Sequence, residues 1–353
     1  MRELTRNNNL SSIARTLNIS KETVRRKVKE LEGPFGRLRL RIDLYAIGLS
    51  QVILLSRGSI KKNKLLSSRY LRSIFHTYKI GERYNVINIT PPLKALEKYI
   101  HFLKFISSKD TSIYVTYSPI YWVPDLAFIK NFNDPFIYEW NELTKDVEKA
   151  SDELKINLRA QKVKRVGIVD YIDLYILREL ERNPLRSIRS IAKDLGVSQQ
   201  LAYYHYKNHV APVILSRNLR IFLSKRNAVK GLLMIEFRKE HYLAKFLNVF
   251  ISLPHCMSAL LDMFKLKLLL SYQVYGYQYT DFVKAIFELK EVGLVKEIED
   301  YGVFVVSIFH RKILPWKYAL RPNGWVVDRF IKRIEGGRSP DNILNKVKVR
   351  LWK

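Results

Sequence analysis

The chain has 353 residues, 47% of them hydrophobic, and carries 62 Lys+Arg against 33 Asp+Glu for a net charge of +29. That length and apolar content exclude a disordered polyelectrolyte and predict a globular chain of roughly two to four domains. The single cysteine, Cys256, excludes an intramolecular disulfide and any zinc cluster built on several cysteines. No run reaches the roughly 18 apolar residues of a membrane span, and the polar start Met1-Arg2-Glu3-Leu4-Thr5-Arg6 lacks the apolar core of a signal peptide, so a cytoplasmic address without a membrane partner is expected. The excess of positive charge points to a polyanion as partner.

In chain order, residues 1–35 predict a helix-turn-helix domain whose first helix is truncated. Ser12-Ile13-Ala14-Arg15-Thr16-Leu17-Asn18-Ile19-Ser20 reads as helix, turn and cap, with Asn18 tolerating the left-handed backbone that ends a helix and Ser20 capping the next. Val24, Val28 and Leu31 recur at helical spacing and form the inner face of that next helix. Residues 36–140 predict an α+β domain. Its opening strand alternates, with Arg37, Arg39 and Arg41 on one face and Leu38 and Leu40 on the other. Further strands are predicted at 52–56, 84–89 and 112–117, with a helix over 93–106. Residues 141–165 are polar, with Leu143, Val147 and Leu154 spaced as a helix seam, and predict a helical connector.

The pattern then returns. Ser190-Ile191-Ala192-Lys193-Asp194-Leu195-Gly196-Val197-Ser198 aligns with the segment at 12–20, residue for residue. Residues 166–212 therefore predict a second helix-turn-helix domain, with Gly196 in the place of Asn18 and Ser198 in that of Ser20. Its third helix turns Ala202, Tyr206 and Val210 inward. Residues 213–330 predict a second α+β domain, with strands at 232–237, 267–274 and 304–309 and helices at 241–251 and 280–291. The order strand, helix, strand, strand, helix, strand is ferredoxin-like. Both copies close on aromatic, proline-bearing segments, Tyr121-Trp122-Val123-Pro124 and Pro315-Trp316, and residues 331–353 form a basic tail.

On these residues the chain resembles the Lrp/AsnC (feast/famine) family in a tandem duplicated form. Val169-Asp170-Tyr171-Ile172-Asp173-Leu174-Tyr175-Ile176-Leu177 is similar to that family's opening helix, and Thr23-Val24-Arg25-Arg26-Lys27-Val28-Lys29-Glu30-Leu31-Glu32 to its recognition helix. Ile42-Asp43-Leu44-Tyr45-Ala46-Ile47-Gly48-Leu49 is similar to its hinge. The resemblance implies an α+β architecture of two winged helix-turn-helix domains, each followed by a βαββαβ domain. It also implies a transcription regulator and, because two heads share one chain, a covalent pseudo-dimer. The family's glycine-containing effector loops have no counterpart here, which leaves the small-molecule effector open, and self-association through the α+β domains is open as well.

The function expected is sequence-specific binding of double-stranded DNA by two recognition helices in successive major grooves, about 34 Å apart, with a nucleoid-associated address in the cytoplasm. In the first, Lys21, Thr23, Arg25, Arg26 and Lys29 are the candidate DNA contacts, with Arg37 and Arg39 tracking phosphates from the adjoining strand. In the second they are Ser198, Gln199, Gln200, Tyr203, Tyr204 and Lys207, although Tyr203 and Tyr204 equally suit packing and a structural role for that head. Alternatives are a plasmid or viral replication initiator and an architectural DNA-coating protein. No enzyme, cofactor or metal is expected, because no nucleophile, base or carboxylate cluster can be assembled; His205 and His209 on one helix face read as incidental and His255-Cys256 as structural.

Overall fold

The computed structural model describes residues 10–31, 36–58, 60, 65–107, 110–123, 137–158, 170–221, 223, 227–304, 310–311, 320–321, 324–328 and 331. Its order follows local sequence chemistry closely at the helical segments. Helices α1 (Leu10–Thr16) and α2 (Lys21–Leu31) are separated by Asn18 at φ 51°. The hydroxyl of Ser20 accepts the Thr23 N–H at 3.0 Å and starts α2. After α2 come β1 (Gly36–Ile42), β2 (Gln51–Arg57), β3 (Leu71–Lys79), β4 (Glu82–Ile89), α3 (Leu96–Ile106), β5 (Thr111–Thr116) and α4 (Leu143–Lys149).

The second half opens with α5 (Tyr171–Arg182), α6 (Ile188–Leu195) and α7 (Gln199–His205). Each start is capped by a side chain: Asp170 in a reciprocal capping box with Asp173, Ser187 on the Ser190 N–H, and Ser198 on the Leu201 N–H. Gly196, at φ 74°, ends α6 in the left-handed conformation that the sequence predicts. Helix α7 runs on into a π-helical turn, Tyr206–Val210. Strands β6 (Ile214–Ile221) and β7 (Ala228–Phe237), α8 (Glu240–Phe250), β8 (Cys256–Leu261), β9 (Lys267–Tyr275), α9 (Tyr279–Glu291) and β10 (Val295–Phe304) follow, and the short strands β11 (His310–Arg311), β12 (Leu320–Arg321) and β13 (Gly324–Trp325) come last.

The protein is a mixed α+β structure around one large antiparallel sheet. In the first half the strands lie in the order β5-β2-β4-β3, and in the second β10-β7-β9-β8, so each half repeats the same four-strand order. The halves join along two edges. Strand β3 pairs with β10 through Tyr78–Val303 and Thr77–Phe304. At the other edge, bridges Thr116–Asp262 and Ile120–Ala259 tie the end of β5 to β8. These eight strands thereby close on themselves, and β11 adds a ninth by pairing with β3. Three of these strands, β3, β8 and β10, escape the periodicity reading, while the strand expected at 304–309 lies, apart from Phe304, outside the described residues. For β10 the reason is that Val295-Lys296-Glu297-Ile298-Glu299 carries charge on its outer face and offers little apolar alternation, whereas pairing with β7 holds it extended.

Alternation along each strand sorts side chains between two environments. Outward residues such as Val52, Leu54, Ile87 and Ile89 pack under α3, while Leu233, Ile235, Leu268 and Leu270 pack under α8 and α9. Inward residues, among them Ile53, Leu55, Val86, Leu232, Met234 and Leu269, meet those of the opposite half in a separate apolar cluster.

Segments following each half cross to the other. Trp140, at the end of the first expected α+β domain, and Leu143 and Val147, from the expected connector, belong to the second half's core, with Trp140 4.8 Å from the Phe282 ring. In return Trp325 belongs to the first half's core, where its Nε1 donates to the Ile47 carbonyl at 2.6 Å. Asp328 accepts hydrogen bonds from Ser68 and Tyr99 at 2.8 and 2.9 Å. Helix α5 also packs on the first half through Leu174, Leu177 and Leu180. The basic tail expected at 331–353 lies outside the described residues, apart from Ile331.

Candidate binding cavity

Strand β1 does not add to the large sheet. It pairs with β6 as a separate two-stranded ribbon, with Arg37 opposite Arg220, Arg39 opposite Asn218 and Arg41 opposite Ser216. Residues directly opposite in an antiparallel pair project to the same side, so this register stacks Arg37 against Arg220, an arrangement that opposes stability. The leucine side of β1 is spent on packing: Leu38 lies with Ile13, Val24, Val28 and Trp122, and Leu40 lies in the first half's core. The arginine side faces a cavity of about 450 Å³.

That cavity lies between the ribbon and the inner faces of the closed sheet. Ile53, Val86, Leu232, Leu260 and Leu269 supply apolar walls, and Gln51, Asn88, Ser258 and Ser271 supply polar ones. Its described lining carries Arg37, Arg39, Arg41, Arg72, Arg220 and Lys230 against one acidic residue, Glu181. Glu181, from α5, pairs with Arg72 of β3 at the cavity's margin.

Arg41 is the most constrained of these cations. It is only 3% exposed, and its Nε and Nη2 have no hydrogen-bond partner. Burial pushes its pKa down from 12.5 to about 10, with electrostatic interaction from nearby Tyr121 and Asp43 offsetting this in part. The guanidinium still carries its charge at neutral pH. A buried charge is tolerated where it is paired and hydrogen-bonded. The Oδ1 of Asn88 and the Oγ1 of Thr90, both on the cavity lining, are likewise without a partner. The cavity therefore presents a buried cation and open polar atoms within apolar walls, which is the chemistry of a site for an anion with an apolar body.

The residues singled out in the sequence are distributed differently. Lys21, Arg25, Arg26 and Lys29 are exposed on α2, and Thr23 is half-buried against Ser20. Part of that basic face is matched by the helix's own acids, with Arg25 3.9 Å from Glu22 and Lys27 2.9 Å from Glu30. Gln199, Gln200 and Lys207 are exposed, Ser198 serves as a cap, and Tyr203 and Tyr204 are each 55% exposed. Arg37 and Arg39 alone of this set line the cavity. Arg72, Glu181 and Lys230 were not anticipated. Their signal is absent from local sequence because each reaches the cavity from a different element. His255 and Cys256 are fully buried in the second half, and burial pushes the Cys256 thiol well above its ordinary range.

No family model matches the chain, and no curated protein matches it in sequence. Among solved structures the chain is similar to the siroheme decarboxylase NirDL, at 9% identity and a TM-score of 0.45 over 84% of each chain. It is also similar to NirDL in co-complex with an iron-uroporphyrin III analogue, at 9% identity and a TM-score of 0.44, covering 84% of this chain and 85% of that one. These results correct the expectation of an Lrp/AsnC-type, non-enzymatic transcription regulator with DNA as its partner and a nucleoid address. No family match supports it, and the solved structures found are of an enzyme. The physical reason lies in β1, whose arginine face turns into the cavity instead of outward to a duplex. Among the described residues no helix is long and apolar enough to cross a membrane.

Proposed function

We propose that the cavity binds a small organic polyanion, with an extended apolar body and at least two carboxylates, seated between the β1–β6 ribbon and the inner face of the sheet. The observation that carries this reading is the buried guanidinium of Arg41, unpartnered at Nε and Nη2 and facing an apolar-walled space. A carboxylate there supplies the missing pair, with charge-assisted hydrogen bonds worth about 1.5–3 kcal/mol. Arg37, Arg39, Arg220 and Lys230 offer places for further carboxylates, and Ile53, Val86 and Leu232 take the body. The cavity's size falls in the range of small-molecule sites, roughly 300–1,000 Å³. In this reading segments 1–35 and 166–212 are two copies of one winged helix-turn-helix unit and 36–140 and 213–330 two ferredoxin-like copies. The heads then serve as cover and wall for the cavity, with Glu181 of α5 holding Arg72 at its margin.

Porphyrin polycarboxylates belong to the proposed ligand class, and iron-uroporphyrin III is a convenient probe because its absorption changes on binding. Titration of the full chain should saturate, while a porphyrin without carboxylates should bind far more weakly. Arg41→Met should lower the affinity about 10- to 100-fold. Equal affinity of the Arg41→Met variant and the unaltered chain, or indifference to the carboxylates, refutes the proposal.

A further inference from the structure

The capping box that starts α5 has a second connection. Asp170 accepts the Asp173 N–H at 2.9 Å through Oδ1, and Asp173 accepts the Asp170 N–H at 3.1 Å through Oδ2. Those bonds leave Asp173 Oδ1 and Asp170 Oδ2 for other partners, and two imidazoles approach them. The Nδ1 of His205 lies 2.9 Å from Asp173 Oδ1 and 3.5 Å from Asp170 Oδ2. The Nδ1 of His209 lies 3.2 Å from both oxygens of Asp173. Helix geometry explains the convergence. His205 ends α7 and His209 sits in the π-helical turn that follows, whose wider winding keeps both rings on the side facing α5, with centroids 5.2 Å apart.

We propose that Asp173, His205 and His209 bind a divalent transition-metal ion of the Zn²⁺ type, with Asp170 or water completing the coordination. The donor atoms of the three residues all lie within 4.8 Å of one another. Ligands about 2.0–2.2 Å from such an ion stand roughly 3–3.4 Å apart around it, close to the nitrogen–oxygen separations of 2.9 and 3.2 Å from His205 and His209 to Asp173. Two imidazole nitrogens with carboxylate oxygen suit Zn²⁺, Fe²⁺, Co²⁺ or Ni²⁺ better than Mg²⁺ or Ca²⁺, which favour all-oxygen sites. Asp173 and His205 are buried, whereas the side chains of His209 and Asp170 are 34% and 50% exposed, so the same cluster has a protected base and an approach from solvent. The N–H of Asp170 bound to Asp173 Oδ2 holds the carboxylate's orientation, as groups behind a metal ligand do. A bound ion would join the start of α5 to the end of α7 in place of the imidazole–carboxylate hydrogen bonds that link them. The site is separate from the cavity and does not depend on the ligand proposed for it.

Calorimetric titration of the full, chelator-treated chain with Zn²⁺ should show a single site, and Ca²⁺ should give no comparable heat. His209→Ala alters the most exposed of the three ligands and should weaken Zn²⁺ binding at least about tenfold. Circular dichroism would verify that the variant is folded. Independently of any variant, Co²⁺ added to the unaltered chain should develop visible absorption bands of a nitrogen- and oxygen-ligated ion that Zn²⁺ then displaces. Absence of a saturable Zn²⁺ site, of the Co²⁺ bands, or of any difference between the unaltered chain and His209→Ala overturns the proposal.

Discussion

Replacing Arg41 with methionine removes a buried charge that the ligand-free protein compensates only in part. The side chain is 3% exposed, and its pKa is lowered from 12.5 to about 10 by burial. That lowering corresponds to roughly 3 kcal/mol against the charged form in the folded state. Methionine keeps most of the apolar stem and gives up the guanidinium, so the expected gain in ligand-free stability is about 1–3 kcal/mol, in the range found when buried charges are exchanged for apolar groups. The penalty is fully present at neutral pH, where the guanidinium is charged in both the folded and unfolded chain, and is relieved only as pH rises through about 10. Urea denaturation at pH 7 should therefore show a higher midpoint for the Arg41→Met variant, with an unchanged slope, and the same variant should lose affinity for iron-uroporphyrin III. A variant less stable than the unaltered chain without ligand would refute the claim that the charge is only partly compensated and with it the main support for the cavity's function.

Other consequences are equally direct. Gly302 holds φ 82° at the junction of the halves, and a Cβ there would lie 2.2 Å from the Tyr78 carbonyl oxygen, so Gly302→Ala should cost about 3 kcal/mol or more in denaturant unfolding, of which the left-handed backbone accounts for roughly 1–2. Trp140→Ala should cost about 3–5 kcal/mol in the same assay, because the ring fills the second half's core against Phe250 and Phe282; a loss under 1 kcal/mol would show that the crossover is not part of that core. Cys256 is buried with its thiol held protonated, so iodoacetamide should leave the native protein unmodified at pH 8 and alkylate it rapidly in guanidinium chloride, as mass spectrometry would show.

Local chemistry determined much of this protein. The repeated Ser-Ile-Ala segment, the left-handed Asn18 and Gly196, and the caps Ser20 and Ser198 were legible because each acts within a few residues of itself. The alternation of β1 likewise established that Arg37, Arg39 and Arg41 share a face. It could not establish what that face looks upon. An alternating strand is symmetrical with respect to inside and outside until its partners are known, and here the partner is β6, far along the chain, while the space in front of it is bounded by both halves of the sheet.

The same reasoning separates the other outcomes. His205 and His209 were visible as neighbours on one helix, but Asp173, which draws them together, comes from α5 and enters only when the helices pack. Strands β3 and β8 were missed because their extended form depends on pairing with β4 and β9 more than on their own alternation. The crossovers of Trp140 and Trp325 are decided by which core has room for a large ring, a property of the assembled halves. The sequence by itself thus determined the turns, the caps, the charge and the repetition, since these arise from interactions over a few residues. Tertiary structure alone decided the direction of the β1 arginines, because burial depends on surfaces contributed from distant parts of the chain.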